Sequence, residues 1–358
     1  MDTSRADDLA GRIFQAMIGS LEIGGIYLGD KLGLYRSLHE DGPASSAGLA
    51  KRLGMDERYL REWLEFQAVS GYLEVDDVSA SAKERRYSLP EEFAAVLVEP
   101  ENPYYVASVG LGLMGTVRPI DQLVEAYRTG AGVPFEDYGP DMVCGIAAFN
   151  RPTFMNCIGQ EWIPAMPDVH AALQRPGAKV ADIGMGMAWS SIAIAKAYPN
   201  ATVDAYDLDE ASVNGARENI RAAGLSDRIN AEVRDAGDPA LSGQYDLACA
   251  IECIHDMSNP VGALSAMRRL VGDRGAVLVV DEKVQDAFTV PGDDVERMMY
   301  GFSVLHCLPV GRVDTPSKET GAVIRQSIME SYAREAGFTD IEVLPIENDF
   351  YRFYRMRG

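Results

Sequence analysis

A glycine-containing turn at residues 184–188 is the first feature of this sequence that could carry chemistry. Gly184 and Gly186 follow an apolar stretch that begins at Lys179, and a helical pattern begins at Trp189. Glycine lets the backbone turn sharply and approach a ligand closely. A lone G-x-G is weak evidence, but the strand–turn–helix context that a nucleotide-type site requires is present here.

Acidic residues follow the next two apolar stretches, where strands are expected to end. Asp207 lies 23 residues after Gly184 and can accept both ribose hydroxyls of an adenosine, and Leu208 can cover one face of the adenine. Asp235 can accept a hydrogen bond from the adenine amino group. The alternatives are an NAD site, or a Rossmann-like fold whose loop acids are only solvated. An NAD site is disfavoured because the sheet is expected to be followed by an antiparallel hairpin and by no second nucleotide-binding half.

One of the four histidines stands where a catalytic base could act. His255 comes directly after the apolar stretch 246–251 and is followed by Asp256. Ligands of open α/β sheets bind at the carboxyl ends of the strands. A histidine at this edge can take a proton from an attacking hydroxyl near neutral pH, and a neighbouring carboxylate can orient it. The alternative is a loop histidine that caps a helix.

The elements that must position these residues alternate between strand and helix patterns from residue 179 onwards. This βαβ series predicts a parallel sheet with helices on both faces. We expect strands at 179–183, 202–207, 229–234, 246–251 and 276–281, helices at 189–198, 210–223, 259–271 and 327–336, and a terminal antiparallel hairpin from 341–344 and 350–354.

The first hundred residues have a different pattern. Helical spacing over 9–37, two further helices, and two short strands predict a winged helix. Residues 30–98 contain nine basic and thirteen acidic residues, a net charge of −4. Because phosphate contacts need the opposite balance, we expect this domain to mediate dimerisation and not DNA binding.

The constellation resembles the class I S-adenosylmethionine-dependent methyltransferases, over roughly residues 170–358. The resemblance implies a Rossmann-like α/β sheet behind an N-terminal, mainly helical winged-helix domain, with S-adenosyl-L-methionine as cofactor. Ala188 stands where the family has a third glycine. The residues that it assigns to the cofactor are Asp182, Gly184, Gly186, Asp207, Leu208, Asp235, Ala236 and Glu252.

The segment from Ile254 to Ser258 is similar to the His-Asp signature of small-molecule O-methyltransferases of the plant type, which also carry a winged-helix dimerisation domain. The resemblance implies that His255 is the general base, with Asp256 and Asp281 as further catalytic residues and Asp281 as the acid that supports the base. A second acid of the family is missing, because Val323 stands at about its position. The implied substrate is a small molecule, such as a secondary metabolite.

Two alternatives remain within this scaffold, and a third lies outside it. His255, Asp256 and His306 could form a metal-binding triad, as in a few bacterial α-keto acid C-methyltransferases. His306 could instead only line the substrate pocket. The protein could also be a pericyclase or decarboxylase in which the cofactor is structural. A ligand-responsive DNA-binding regulator is disfavoured by the charge count.

Composition limits the classes of partner. The 33 Lys and Arg residues against 54 Asp and Glu give a net charge of −21 in 358 residues, which disfavours nucleic acid. No apolar run is long enough to span a bilayer, and the acidic start predicts no signal peptide. Five scattered cysteines favour a reduced, cytoplasmic protein. We expect a homodimer with domains at 1–100 (winged helix), 101–175 (helical linker and substrate cap) and 176–358 (cofactor-binding).

Overall fold

The computed structural model describes residues 3–358, so Met1 and Asp2, where the predicted first domain begins, lie outside the described range. The chain divides into two compact units. One contains the described residues up to Met114 together with Cys144–Pro152, and the other contains Gly115–Val143 and Thr153–Gly358. The segment 101–175, predicted as a linker and cap, is thus divided between both units.

Helices and a small sheet make up the first unit. The sequence predicts one helical stretch over 9–37, but Gly33 takes a φ of 67° and separates two helices. Asp56 accepts hydrogen bonds from the backbone N–H groups of Arg58 and Tyr59, which fixes the start of a later helix. The elements are α1 (Ser4–Lys31), α2 (Leu34–Glu40), β1 (Ala44–Ser45), α3 (Ser46–Leu53), α4 (Glu57–Val69), β2 (Glu74–Val75), β3 (Arg86–Ser88) and α5 (Glu91–Leu97).

The three short strands form an antiparallel sheet in the order β1-β3-β2. Strands β2 and β3 follow the pair α3 and α4, so the predicted helix–turn–helix and wing are confirmed. The core of the unit contains Leu34, Leu49, Leu64 and Tyr87, all almost fully buried.

The helical segment that follows continues the chain towards the large sheet. A 3₁₀ turn at Phe135–Tyr138 and a π-helical turn at Ile158–Trp162 interrupt it. Its helices are α6 (Val109–Val117), α7 (Ile120–Thr129), α8 (Gly139–Cys157) and α9 (Pro167–Leu173).

The second unit is built on a seven-stranded sheet. Because helices cover both faces, its central strands β7 and β8 are buried along their whole length and consist mainly of small or branched apolar residues. The elements are β4 (Lys179–Ile183), α10 (Trp189–Ala197), β5 (Thr202–Asp207), α11 (Glu210–Ala222), β6 (Ile229–Val233), β7 (Leu247–Ile251), α12 (Pro260–Val271), β8 (Ala276–Glu282), α13 (Asp294–Phe302), α14 (Leu308–Gly311), α15 (Gln326–Glu335), β9 (Asp340–Val343) and β10 (Tyr351–Arg357).

The strand order is β6-β5-β4-β7-β8-β10-β9, with β10 antiparallel to both of its neighbours and the other pairs parallel. The predicted Rossmann-like fold and terminal hairpin are therefore confirmed. The five parallel strands place their carboxyl ends along one edge of the sheet. The glycine turn, the strand-end acids and His255 all follow these ends.

Within residues 3–358, no helix combines the length and the apolar character that crossing a membrane would require.

Candidate active site

The glycine turn between β4 and α10 depends on unusual backbone conformations. Gly184, Gly186 and Ala188 all have positive φ angles, of 68°, 53° and 64°. A Cβ at Gly184 would lie 2.7 Å from Sγ of Cys253, so only glycine fits there. A Cβ at Gly186 would meet nothing within 4 Å, which leaves open space on that side of the turn. The turn therefore offers its backbone to a ligand.

Asp182 lies beneath this turn and not at its surface. Its carboxylate is almost fully buried, and Oδ2 accepts hydrogen bonds from the hydroxyls of Ser190 and Ser191, at 2.6 Å each. Burial raises its pKa, which these hydrogen bonds partly offset. Asp182 thus ties the end of β4 to the start of α10. Its assignment to the cofactor stays a prediction, and in this structure it positions the turn.

Asp207 at the end of β5 is joined directly to the turn. Its Oδ2 accepts the backbone N–H of Gly186 at 2.8 Å, and its Oδ1 accepts that of Asp209 at 2.9 Å. Burial raises the pKa of Asp207. A carboxylate has lone pairs for further donors, so the ribose hydroxyls of an adenosine can still bind. Leu208 beside it is 68% exposed, an apolar surface that suits an adenine ring.

The third predicted cofactor acid lies after β6. Asp235 is exposed, and its Oδ1 accepts the backbone N–H of Gly237 at 2.8 Å. Ala236 follows and is partly buried. The structure therefore brings the predicted residues together along the ends of β4, β5 and β6, and this set of an open turn, carboxylates and an apolar cover fits an adenosyl cofactor.

His255 lies in a 3₁₀ turn just after β7, and two carboxylates flank it. Nδ1 is 2.6 Å from Oδ1 of Asp281, and Nε2 is 3.2 Å from Oδ1 of Asp256. Burial alone would lower the pKa of His255, but these two carboxylates outweigh it and raise that pKa well above its usual value. Asp281 is fixed in turn, because its Oδ1 also accepts the backbone N–H of Glu282.

The segment in which the family's second acid is missing lies beside His255 in the structure. The backbone N–H of Gly321 donates to the carbonyl of His255 at 3.1 Å, so the segment that contains Val323 does reach this site. Val323 packs in a small apolar cluster with Val284 and Met299. Asp256 supplies the second carboxylate beside His255.

His306 lies in a π-helical turn, Ser303–Cys307, near the same carboxylate. Its Nδ1 is 4.0 Å from Oδ2 of Asp256, and its ring meets the edges of Tyr138 and Phe135 at centroid distances of 4.6 and 5.7 Å. Burial lowers its pKa, and its Nε2 is buried without a hydrogen-bond partner. His306 is therefore a neutral imidazole with one open nitrogen.

A second arrangement of ligand atoms is more compact than the predicted triad. Among the described residues, one group of His, Cys, Asp and Glu side chains could hold a metal ion: His255, Asp256 and Cys307, whose atoms lie within 4.8 Å of one another. This group has Cys307 where the sequence predicts His306.

Glu252 and Glu282 add two further carboxyl groups to this edge. Glu252 has a φ of 60°, which is strained for a residue with a side chain. Burial and the neighbouring acids raise the pKa of both groups, that of Glu282 to about 8. The sequence pattern predicts a role for Glu252 but gives none to Glu282, Cys307 and Tyr138. The signal for Glu282 was available, because an acid after a buried strand must lie at the ligand edge.

Two family profiles match parts of the chain. Residues 23–99 match the "Rv2258c-like winged HTH domain", and residues 180–275 match the "Methyltransferase domain". No curated protein matches the chain.

Solved structures match along the whole length. The mitomycin 7-O-methyltransferase MmcR is 19% identical with a TM-score of 0.68, over 99% of both chains. PigF with SAH is 19% identical with a TM-score of 0.69, over 100% of both chains. Human N-acetylserotonin methyltransferase in complex with SAM is 17% identical with a TM-score of 0.66, over 100% of this chain and 99% of that one. At this identity the likenesses show the fold. The chain therefore carries an S-adenosylmethionine-dependent methyltransferase domain of the class I fold, preceded in the sequence by a winged helix-turn-helix domain.

Proposed function

We propose that this protein transfers the methyl group of S-adenosylmethionine to a hydroxyl of a small molecule, with His255 as the general base. The observation that carries the proposal is the His255–Asp281 pair at the ends of β7 and β8, next to the glycine turn of β4. A histidine held by a carboxylate at this edge can accept a proton from an acceptor that faces the cofactor.

One set of residues binds the cofactor and another removes the proton of the acceptor. The cofactor, when bound, supplies a methyl group made electrophilic by the sulfonium. Gly184, Gly186 and Asp207 hold the adenosyl part and so fix the direction of attack. Asp281 accepts from Nδ1 of His255, so Nε2 is the nitrogen that takes the proton of the acceptor hydroxyl, and Asp256, 3.2 Å from Nε2, would stabilise the imidazolium that forms. Loss of this proton makes the acceptor oxygen the nucleophile.

The test is the formation of S-adenosylhomocysteine from S-adenosylmethionine in the presence of a panel of phenols and catechols. We expect product with at least one acceptor, and a loss of product in His255→Ala. An acceptor that is consumed without S-adenosylhomocysteine would favour the pericyclase or decarboxylase alternative. No binding of S-adenosylhomocysteine by calorimetry would overturn the proposal.

Metal-dependent C-methylation is the second candidate, because His255, Asp256 and Cys307 are close enough to share one ion. His306, with an unpartnered Nε2, lies beside them. An ion held there would bind the oxygens of an α-keto acid. Elemental analysis of the purified protein decides the matter: a stoichiometric transition metal that is lost in Asp256→Asn supports this candidate.

We further propose that the protein is a homodimer held by α1. The first five turns of this helix bury no residue, and Leu9, Ile13, Met17 and Leu21 form an exposed stripe at four-residue spacing. The acidic winged-helix domain supports an association between copies of the chain more than one with nucleic acid. Light scattering coupled to size exclusion should give twice the mass of 39.0 kDa.

We also propose a cytoplasmic location. All five cysteines are free, and Cys249 and Cys307 are buried, as is usual for proteins of a reducing compartment. Fractionation of cells that produce the protein, with antibody detection, tests this location.

A further inference from the structure

Two carboxyl groups at the ends of neighbouring strands have no role in the proposed proton transfer. Glu252 directly follows β7, and Glu282 is the last residue of β8. The two strands pair in parallel, with Ile251 opposite Val280, and the backbone N–H of Glu252 donates to the carbonyl of Val280 at 2.8 Å. The backbone therefore brings Glu252 and Glu282 together at the ligand edge.

Both groups have oxygens that the protein leaves unsatisfied. Oε1 of Glu252 and Oε2 of Glu282 are buried and have no hydrogen-bond partner, and Glu282 as a whole is only 6% exposed. A buried carboxylate oxygen without a donor is costly and calls for an explanation. A ligand that brings donors would satisfy both atoms.

The charges around the pair require that this ligand be positive. Asp256 and Asp281 are further acidic groups close to Glu252 and Glu282, and His255 is the basic group that acts on both of them. Arg352 pairs across from Asp281 in β10, so it lies on the opposite face of the sheet from Glu282, and it donates to the carbonyl of Val284. Four carboxyl groups thus lie close to the imidazole of His255.

The arrangement of the side chains favours an ammonium group over a metal ion as the cation that this pair binds. Within residues 3–358, the group whose ligand atoms lie close enough to hold an ion is His255, Asp256 and Cys307, and it includes neither glutamate. An ammonium group can be held by only two carboxylates, because its N–H donors can each reach a different oxygen.

The acceptor, and not the cofactor, is the expected source of the ammonium group. Glu282 ends β8, which is two strands away from β4 and its glycine turn, or about 10 Å across the sheet. The residues on the same strand ends, His255 and Asp281, belong to the acceptor side of the proposed mechanism.

We propose that Glu252 and Glu282 bind an ammonium group of the acceptor and so select amine-bearing substrates. This inference rests on the proposed function and deepens it. The ammonium is an anchor and not the methylated atom, because a protonated nitrogen has no lone pair to attack with. Burial raises the pKa of both glutamates, and an ammonium group bound beside them would favour their ionised forms.

Calorimetry on the S-adenosylhomocysteine-loaded protein tests the proposal with matched probes: tyramine against 4-ethylphenol, and dopamine against 4-ethylcatechol. Each pair differs only in the amino group. We expect the amine to bind at least about tenfold more tightly, and we expect Glu282→Gln and Glu252→Gln each to remove most of this preference. The exposed Glu347→Gln is the matched control and should keep it.

A separate measurement tests whether the ammonium site belongs to the cofactor, since the resemblance to the methyltransferase family places Glu252 near the cofactor. S-adenosylhomocysteine carries an ammonium group, and 5′-methylthioadenosine does not. If either glutamine variant binds S-adenosylhomocysteine more weakly than the wild type but binds methylthioadenosine equally well, the ammonium site belongs to the cofactor. The assignment to the acceptor is then wrong. Equal binding of amine and neutral probes by the wild-type protein also overturns it. A failure of the proposed function looks different, because the wild-type protein would then not bind S-adenosylhomocysteine.

Discussion

Nδ1 of His255 lies 2.6 Å from Oδ1 of Asp281, and both groups are almost completely buried. Because a carboxylate can only accept, this contact fixes the Nδ1–H tautomer whenever the imidazole is neutral. The other nitrogen, Nε2, is then the basic atom, since its 3.2 Å contact with Oδ1 of Asp256 is not a hydrogen bond. Asp281 is itself held by the backbone N–H of Glu282, so the orientation of the ring is determined by β8.

Replacement of His255 by alanine should reduce kcat by about 100- to 10,000-fold, the range expected for the loss of a general base. Binding of S-adenosylhomocysteine should stay within about twofold of the wild type, because Gly184, Gly186 and Asp207 do not depend on the imidazole. Turnover of a phenol that the wild-type protein methylates gives kcat, and calorimetry gives the affinity for S-adenosylhomocysteine. A variant with undiminished kcat would remove His255 from the mechanism.

The pH dependence of kcat/KM should reflect the two carboxylates beside His255. They raise its pKa, and a base acts only when unprotonated, so the rate should rise with pH through that raised value. In Asp281→Asn the rising limb should move to lower pH, and kcat should fall by about 100-fold because the tautomer is no longer fixed.

Asp256→Asn provides the comparison. This substitution should also move the rising limb of the pH profile to lower pH. The loss of kcat should be smaller, since Nδ1 keeps its contact with Asp281. An unchanged profile in both variants would show that His255 does not titrate in the reaction.

The fold could be predicted from the sequence to a large extent, for a clear physical reason. The parallel strands are buried on both faces, so they form continuous apolar runs, and the predicted strands at 179–183 and 202–207 match β4 and β5. The helical spacing over 9–37 does not reveal the break at Gly33, because a single left-handed residue separates α1 from α2.

The site was only partly predictable. Gly184, Asp207 and His255 follow strands directly, so their convergence comes from the topology alone. His306 and Cys307 come from a π-helical turn and lie 50 and 51 residues after Asp256, and no local pattern brings them to it. The sequence shows Val323 where the family has a second acid, and Asp256, which directly follows His255, is the second carboxylate beside the ring.

Asp207→Asn should weaken binding of S-adenosylhomocysteine by roughly 10- to 100-fold, because hydrogen bonds to a charged group are stronger than those to an amide. The substitution also weakens the contact with the N–H of Gly186 and so loosens the turn. Calorimetry measures the affinity. Asp209→Asn, at the start of α11, is the control for helix capping and should leave the affinity nearly unchanged.

Glu282→Gln should change how stability depends on pH. The pKa of Glu282 is raised from 4.5 to about 8 in the folded protein, so the native state holds a proton that the unfolded state has lost between these values. The wild-type free energy of unfolding should therefore fall as the pH rises from about 4.5 to about 8. Glutamine cannot ionise and avoids this loss.

Thermal unfolding at pH 6 and pH 9 measures the difference. The Tm of Glu282→Gln relative to the wild type should be higher at pH 9 than at pH 6, by at least about 2 °C. The matched Glu347→Gln, at an exposed position, should show the same pH dependence as the wild type. If the Tm of Glu282→Gln falls between pH 6 and pH 9 by as much as that of the wild type, Glu282 is ionised at neutral pH.

Met17→Glu should dissociate the proposed dimer. Met17 lies in the middle of the exposed stripe on α1, where no residue of the first five turns is buried by the described chain. A charge in an apolar interface loses its hydration without gaining a partner, which opposes association. Gln15→Glu adds the same charge on the opposite side of the helix, about 200° away from Met17, so it should leave the mass unchanged. Light scattering should give a monomer mass for Met17→Glu alone, with circular dichroism like that of the wild type. If both variants keep the wild-type mass, α1 does not hold the copies together.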